Sequence, residues 1–241
     1  MNANPDLANF PTPPHPRGDT LIGKHVRLEA LNPVSHSKDL FEANSLDAEG
    51  ANWDYLPYGP FGSFENYLTW LESVADKEDP FFLAIVRLSD NKPVGVASFM
   101  AIDRPNGSIE VGHINFSPLL QRTTAATEAM FLMMRWAFEN GYRRYQWRCN
   151  SKNIPSRRAA QRLGLSFEGV FRQNMIVKGQ NRDTAWFAAV DSEWPALKAA
   201  FESYLSPENF DQTGVPLDSL SSLTQSLLFS RDPLVDDLAG E

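Results

Sequence analysis

Three strand-like runs in a row, followed at once by the longest helical stretch of the chain, constrain this fold more than any other feature. The runs are Phe81–Leu88, Val94–Ile102 and Ser108–Phe116. Asp90-Asn91-Lys92 and Pro105-Asn106-Gly107 separate them with turn chemistry. The helix, Thr124–Asn140, follows a polar turn and closes on Gly141, the residue type that best tolerates a left-handed cap.

Around this block the remaining elements are shorter. Leu21–Leu31 alternates as a first strand, with Val26, Leu28 and Ala30 on one side, and Asn32-Pro33 breaks it. His36–Ala48 and Phe64–Ala75 have helical spacing, the second with Ser63 as its cap. Arg144–Cys149 alternates as a short strand, and Pro155 opens a helix that ends at Leu163-Gly164. Val170–Val177 and Thr184–Val190 form a last hairpin around Lys178-Gly179-Gln180-Asn181. The order is strand, two helices, three strands, helix, strand, helix, hairpin. That is an α+β (mixed α/β) domain, not a regular doubly wound sheet.

The expected organisation is a Pro-rich N-terminal arm over 1–20, the domain over 21–205 and an acidic C-terminal tail over 206–241. In the tail, Leu217, Leu220, Leu223 and Leu227 could line one face of a short helix, docked on the domain or on a second copy in a homodimer.

Charge narrows the partners. The net charge of −8 is uneven: residues 206–241 hold −6, whereas 122–172 hold +7. A basic segment in an acidic chain asks for an anionic partner, and the overall sign argues against nucleic acid. No apolar run approaches the roughly 18 residues of a membrane span. The N-terminal residues show neither a basic start nor an apolar stretch, so no signal peptide is expected. The single cysteine, Cys149, excludes an internal disulfide framework and suits the cytoplasm.

Several chemistries are missing from the pattern. There is no G-x-x-x-x-G-K-[ST] loop, no G-x-G-x-x-G after a strand, no H-E-x-x-H and no G-x-S-x-G elbow. The four histidines have no metal-ligand spacing, so no metal is expected. What remains is a pair of strand-to-helix turns. In Ile114–Ala129 the small residues Thr123, Thr124, Ala125 and Ala126 open a helix beside Arg122, which suits a phosphate on the free amides of a first turn. In Cys149–Gly164, Asn153 and Ser156 flank Pro155 at a second helix start. Both starts should face one edge of the sheet and supply donors to a long polyanion.

These residues resemble the GNAT acyltransferases, especially the branch of ribosomal-protein N-terminal acetyltransferases, from about Gly23 to Ser192. Gln121-Arg122-Thr123-Thr124-Ala125-Ala126 stands where that family has Q/R-x-x-G-x-G/A. Asn153-x-x-Ser156 followed by Leu163-Gly164-Leu165 is similar to its Asn…Ser…Leu-Gly-Phe pattern. One position departs: the motif glycine is Thr124, whose amide can donate if that backbone keeps a negative φ. The resemblance implies a GNAT-like fold with a central, mostly antiparallel, seven-stranded sheet flanked by about four helices.

It also implies a reaction. Acetyl-CoA would bind with its pyrophosphate on the amides from Arg122 to Ala126, with Gln121 and Asn153 beside it. An amine, either a peptide N-terminus or a small molecule, would attack the thioester directly through a tetrahedral oxyanion. A backbone N–H near Asn115 or Phe116 would stabilise that oxyanion. Ser156 would donate to the leaving thiolate, and Glu110, through a water, would be the base. His113 is the alternative base, because its ordinary pKa near 6.5 suits neutral pH. Positions 110 and 113 differ in strand parity, so only a bulge would let both face one side. The loop Trp53–Phe61 should shape the acceptor pocket through Trp53, Tyr55 and Tyr58, with Asp54 or Asp103 attracting a cation. Two rival classes stay open: a non-catalytic acyl-CoA-binding regulatory module, and an α/β interaction domain without CoA affinity.

Overall fold

The computed structural model of the chain describes residues 7–237. Parts of the expected arm (1–6) and of the expected tail (238–241) lie outside the described residues. The elements run β1 (Leu21–Ile22), β2 (Val26–Ala30), α1 (Pro33–Asn44), α2 (Phe64–Ala75), β3 (Phe81–Arg87), β4 (Lys92–Asp103) and β5 (Ser108–Phe116). They continue with α3 (Thr124–Glu139), β6 (Arg144–Asn150), α4 (Ile154–Arg162), β7 (Ser166–Val177), β8 (Gln180–Val190), α5 (Trp194–Tyr204), α6 (Leu220–Thr224) and α7 (Pro233–Asp237).

The strands form one sheet in the order β1-β2-β3-β4-β5-β6-β8-β7. Every neighbouring pair is antiparallel except β5 and β6, which α3 connects as a parallel crossover. The α+β class expected from the element order holds, while the counts differ. The expected first strand is two, so the sheet has eight strands, and seven α-helices stand among the described residues.

The split in that strand has a distant cause. Glu128, buried on α3, accepts the backbone N–H groups of Lys24, His25 and Val26 at 2.7, 2.7 and 3.0 Å. A Cβ on Gly23 would lie 2.4 Å from that carboxylate, so the turn needs glycine for close approach rather than for its φ.

Two apolar clusters lie on opposite faces. The larger joins the inward side chains of β2–β6 and β8 to α3, α4 and α5. The smaller lies under α1 and α2 and takes Phe82, Ala84, Val86 and Val96 from β3 and β4. Helix α5 arises from apolar residues at helical spacing, burying Trp194, Leu197, Phe201 and Tyr204.

The described residues before β1 and after α5 both pack onto this body. Tyr142 Oη donates to Pro14 O at 2.9 Å, and Trp136 Nε1 donates to Asp19 Oδ2 at 2.6 Å. In the C-terminal segment Leu220 is fully buried, with Leu223 and Leu227 packed on the larger cluster. Leu217 precedes the helix cap Ser219 and stays exposed. Asp232, also fully buried, meets the Arg157 guanidinium through both oxygens at 2.5 and 2.6 Å.

Candidate active site

The start of α3 is built as an anion cradle. The amides of Leu120 and Gln121 close a turn on Ser117 O at 2.9 and 3.1 Å. Arg122 then takes a left-handed φ of 59°, and Thr123 caps the helix by accepting Ala126 N–H on Oγ1 at 3.1 Å. The amides of Arg122, Thr123, Thr124 and Ala125 keep no partner among the described residues. Successive free amides around a left-handed residue form a concave anion site, reinforced by the helix dipole. The left-handed residue is Arg122 and not Thr124, so the threonine in the motif glycine's place is no obstacle. Two expected contacts are used internally. The Ala126 amide serves the cap, and Gln121 Nε2 donates to Phe116 O at 2.8 Å.

The start of α4 differs from the expectation that it too would offer donors. Asn153 N–H bonds Asn150 O at 2.8 Å, and Ile154 N–H bonds Lys152 O at 3.0 Å. Pro155 has no N–H, Ser156 N–H is capped by Asn153 Oδ1 at 3.0 Å, and Arg157 N–H reaches Asn153 O at 3.0 Å. Every amide of the turn is consumed. Its product is a fixed serine instead. Trp147 Nε1 donates to Ser156 Oγ at 3.0 Å, so the serine's own proton points elsewhere, with the Cys149 sulfur as a hydrogen-bond partner within reach. Nearby, burial pushes the Cys149 thiol up to about 11, so it stays neutral and is no nucleophile at working pH.

Between the two helix starts the sheet opens. The β5–β6 ladder runs from Ser108↔Arg144 to Val111↔Trp147 and stops, while both strands continue. Ser117 N–H donates to Val94 O at 3.1 Å on the β4 side. By alternation the N–H and C=O of Phe116 point the other way, toward the gap. The carbonyl agrees, accepting from Asn52 Nδ2 at 3.1 Å and Gln121 Nε2 at 2.8 Å. The Asn115 backbone pairs with Val96 across β4, so of the two expected oxyanion donors the geometry favours Phe116.

A bulge decides the faces. Between the pairs Ser98↔Gly112 and Val96↔Asn115, β5 has one residue more than β4, and His113 there has φ 50°. The extra residue brings His113 to the same face as Glu110, so the two candidate bases share one side. Glu110 pairs with Arg148, and burial, opposed by that guanidinium, raises its pKa to about 7. His113 stacks on Tyr58 at 5.6 Å, with the Tyr58 hydroxyl 3.0 Å from its Nδ1. Burial, then the charges of Lys77 and Arg182, lower its pKa to about 4.

The loop expected over the acceptor side is latched down. Lys178 Nζ, at the β7–β8 turn, donates to Trp53 O and Gly59 O at 3.0 Å each. Tyr55 Oη donates to Lys152 O at 3.3 Å. Trp53 and Tyr58 pack with Phe61 and Trp70, and Asp54 lies exposed at the end of a 3-10 turn. Asp103 is occupied by Asn106 in the β4–β5 turn, which removes it from the expected pocket. Sequence reasoning missed Arg148, Lys178, Arg182 and Trp186. The available signal was the alternation of Arg182, Thr184 and Trp186, cut off by starting the last strand at Thr184.

Known proteins share this fold. The model of the acetyltransferase (GNAT) domain matches residues 26–166. A GCN5-related N-acetyltransferase from Brucella melitensis is 44% identical, with a TM-score of 0.87 over 90% of this chain and 99% of that one. A probable GNAT-family acetyltransferase from Chromobacterium violaceum is 38% identical, with a TM-score of 0.75 over 81% and 98%. An SPbeta prophage-derived N-acetyltransferase, YokL of Bacillus subtilis, is 29% identical over 174 residues, covering 71% of this chain and 93% of its own. These likenesses define an acyl-group transferase. The chain belongs to the GNAT acetyltransferase family.

Proposed function

We propose that this protein transfers the acetyl group of acetyl-CoA to a primary amine, on a small molecule or a peptide N-terminus, by direct attack. The observation that carries this reading is the run of four free amides at Arg122–Ala125 beside the opened β5–β6 gap. The cradle fits a pyrophosphate, and the gap leaves strand-edge donors for the arm that follows it. Acetyl-CoA would supply an activated acyl carbon and a thiolate leaving group.

The chain's residues divide the remaining work. Phe116 N–H faces the gap and would hold the oxygen on which charge develops. Ser156, already oriented by Trp147, has a proton to give to the departing sulfur. Glu110 takes the ammonium proton through a water. A carboxyl with pKa about 7 is a much stronger base than an ordinary one, yet it is substantially ionised at neutral pH. His113, lowered to about 4, stays neutral from pH 5 upward, so it orients Tyr58 and the groove wall and does not titrate with turnover.

Thiol release from acetyl-CoA across an amine panel tests this. The rate should rise with pH through a midpoint near 7 and level off about one unit higher, because the base must lose its proton. Glu110→Gln should remove that limb and lower kcat on the order of 10²-fold or more. Ser156→Ala should lower kcat about tenfold with a smaller change in acetyl-CoA affinity, as for a group acting in the transition state. Acetyl-CoA binding with no thiol release for any amine would leave a binding module, and no binding at all an interaction domain.

A further inference from the structure

Helices α1 and α2 cover one face of the sheet over β3 and β4. Beyond β5 no helix among the described residues packs on it, the 53–59 loop reaching across to Lys152 and Lys178 at its edge, and its side chains are of a different kind. Arg182, Thr184 and Trp186 alternate along β8, and Trp186 lies opposite Arg148 of β6. Glu110 of β5 adjoins them, in ion pair with Arg148. The Arg148 guanidinium lies 4.8 Å above the Trp186 ring.

Several buried polar atoms of this half have no hydrogen-bond partner among the described residues: Arg182 Nε, Trp186 Nε1, Thr184 Oγ1 and the side-chain amide of Asn115. Buried polar groups are nearly always paired, and a cluster of exceptions on one open face marks a place for a ligand. The charge balance says which kind. Arg148 has Glu110. Asp79, whose field also reaches Glu110 and His113, is engaged by the amides of Ala101 and Ile102 at 3.0 Å each. The Arg182 guanidinium has no ion pair among the described residues, although it is half-buried. Its pKa is lowered, first by that burial, with the like charge of Arg148 adding to the effect and Cys149 and the Glu110 carboxylate opposing it. A cation held at that cost, beside an idle indole N–H, is a receptor for an anion.

We propose, resting on the acyl-transfer reading above, that the acceptor amine carries a carboxylate and that Arg182, with Trp186 Nε1, binds it. Polycationic amines are disfavoured by the same groups. The carboxylate is either the α-carboxylate of a small amino-acid-like molecule or an acidic side chain near a peptide N-terminus.

Matched acceptors separate these sources and test the idea. Alanylalanine is compared with its C-terminal amide, and alanylglutamate amide with alanylglutamine amide, by thiol release. At least one carboxylate should exceed its neutral partner at least tenfold in kcat/KM. Arg182→Gln should bring that ratio toward one, and Arg182→Lys should restore part of it. N-acetyl-alanylalanine and N-acetyl-alanylglutamate amide, which have no amine to react, supply a second readout by calorimetry. At least one should bind the wild type at least tenfold more tightly than its neutral counterpart and lose that advantage in Arg182→Gln. Equal turnover and equal binding within both pairs would overturn the proposal. So would loss of acetyl-CoA affinity in Arg182→Gln with an unchanged ratio, which would assign the guanidinium to the donor. If no amine releases thiol while a carboxylate still binds through Arg182, the transfer reading fails and the carboxylate site stands.

Discussion

Helices α3 and α4 begin alike in sequence and end up as opposites. Each follows a strand and a polar turn, and each is capped by its own side chain, Thr123 on Ala126 N–H and Asn153 on Ser156 N–H. At α3 a left-handed Arg122 leaves four amides without a partner among the described residues. At α4 the turn closes on itself, Pro155 removes a donor, and Arg157 anchors the first turn from behind on Asp232. One start is left unsatisfied to receive an anion, and the other is over-determined to hold one hydroxyl still. A helix start is therefore a binding site only when its amides are left free, which residue types at the cap do not decide.

The largest expected effect lies on the closed start. Asp232→Ala would strand a buried guanidinium and should lower stability by about 3–5 kcal/mol in urea unfolding. A loss under about 1 kcal/mol would mean that α4 is not held from behind. Next comes the open start. Thr124→Pro deletes one amide at the first helical position, where proline is tolerated, and Thr123 already has the extended φ of −105° and ψ of 161° that precede a proline. Acetyl-CoA affinity should fall about tenfold, or about 1.4 kcal/mol, by calorimetry. Unchanged affinity in the folded variant would show those amides to be idle. Smallest is Asn153→Ala, which should cost about 1 kcal/mol of stability through the lost cap. Its effect on acetyl-CoA affinity should stay below that of Thr124→Pro. The reverse ranking would erase the distinction between the two starts.

Much of this was legible beforehand, and what escaped shares a cause. The three-strand run, the long helix and both helix starts follow from local turn chemistry and spacing. The shared face of Glu110 and His113 does not, because one extra residue at a bulge shifts strand parity without changing residue types. The break in the first strand depends on Glu128, about a hundred residues away. Helix α5 could have been found, since Trp194, Leu197, Phe201 and Tyr204 carry the period and Pro195 the start. Arg182 could not be weighed without the free face, which exists only once the sheet order is known.

The bond between Arg157 and Asp232 also sets an order in time. The partners are separated by 75 residues of chain. Synthesis at roughly 5–20 residues per second puts on the order of 4–15 s between the appearance of the guanidinium and that of its carboxylate. During that interval the helix carrying Ser156 exists as sequence but lacks its rear anchor. The segment that secures the serine is made 75 residues after the arginine it anchors, so the site lacks its rear support until that stretch has been synthesised.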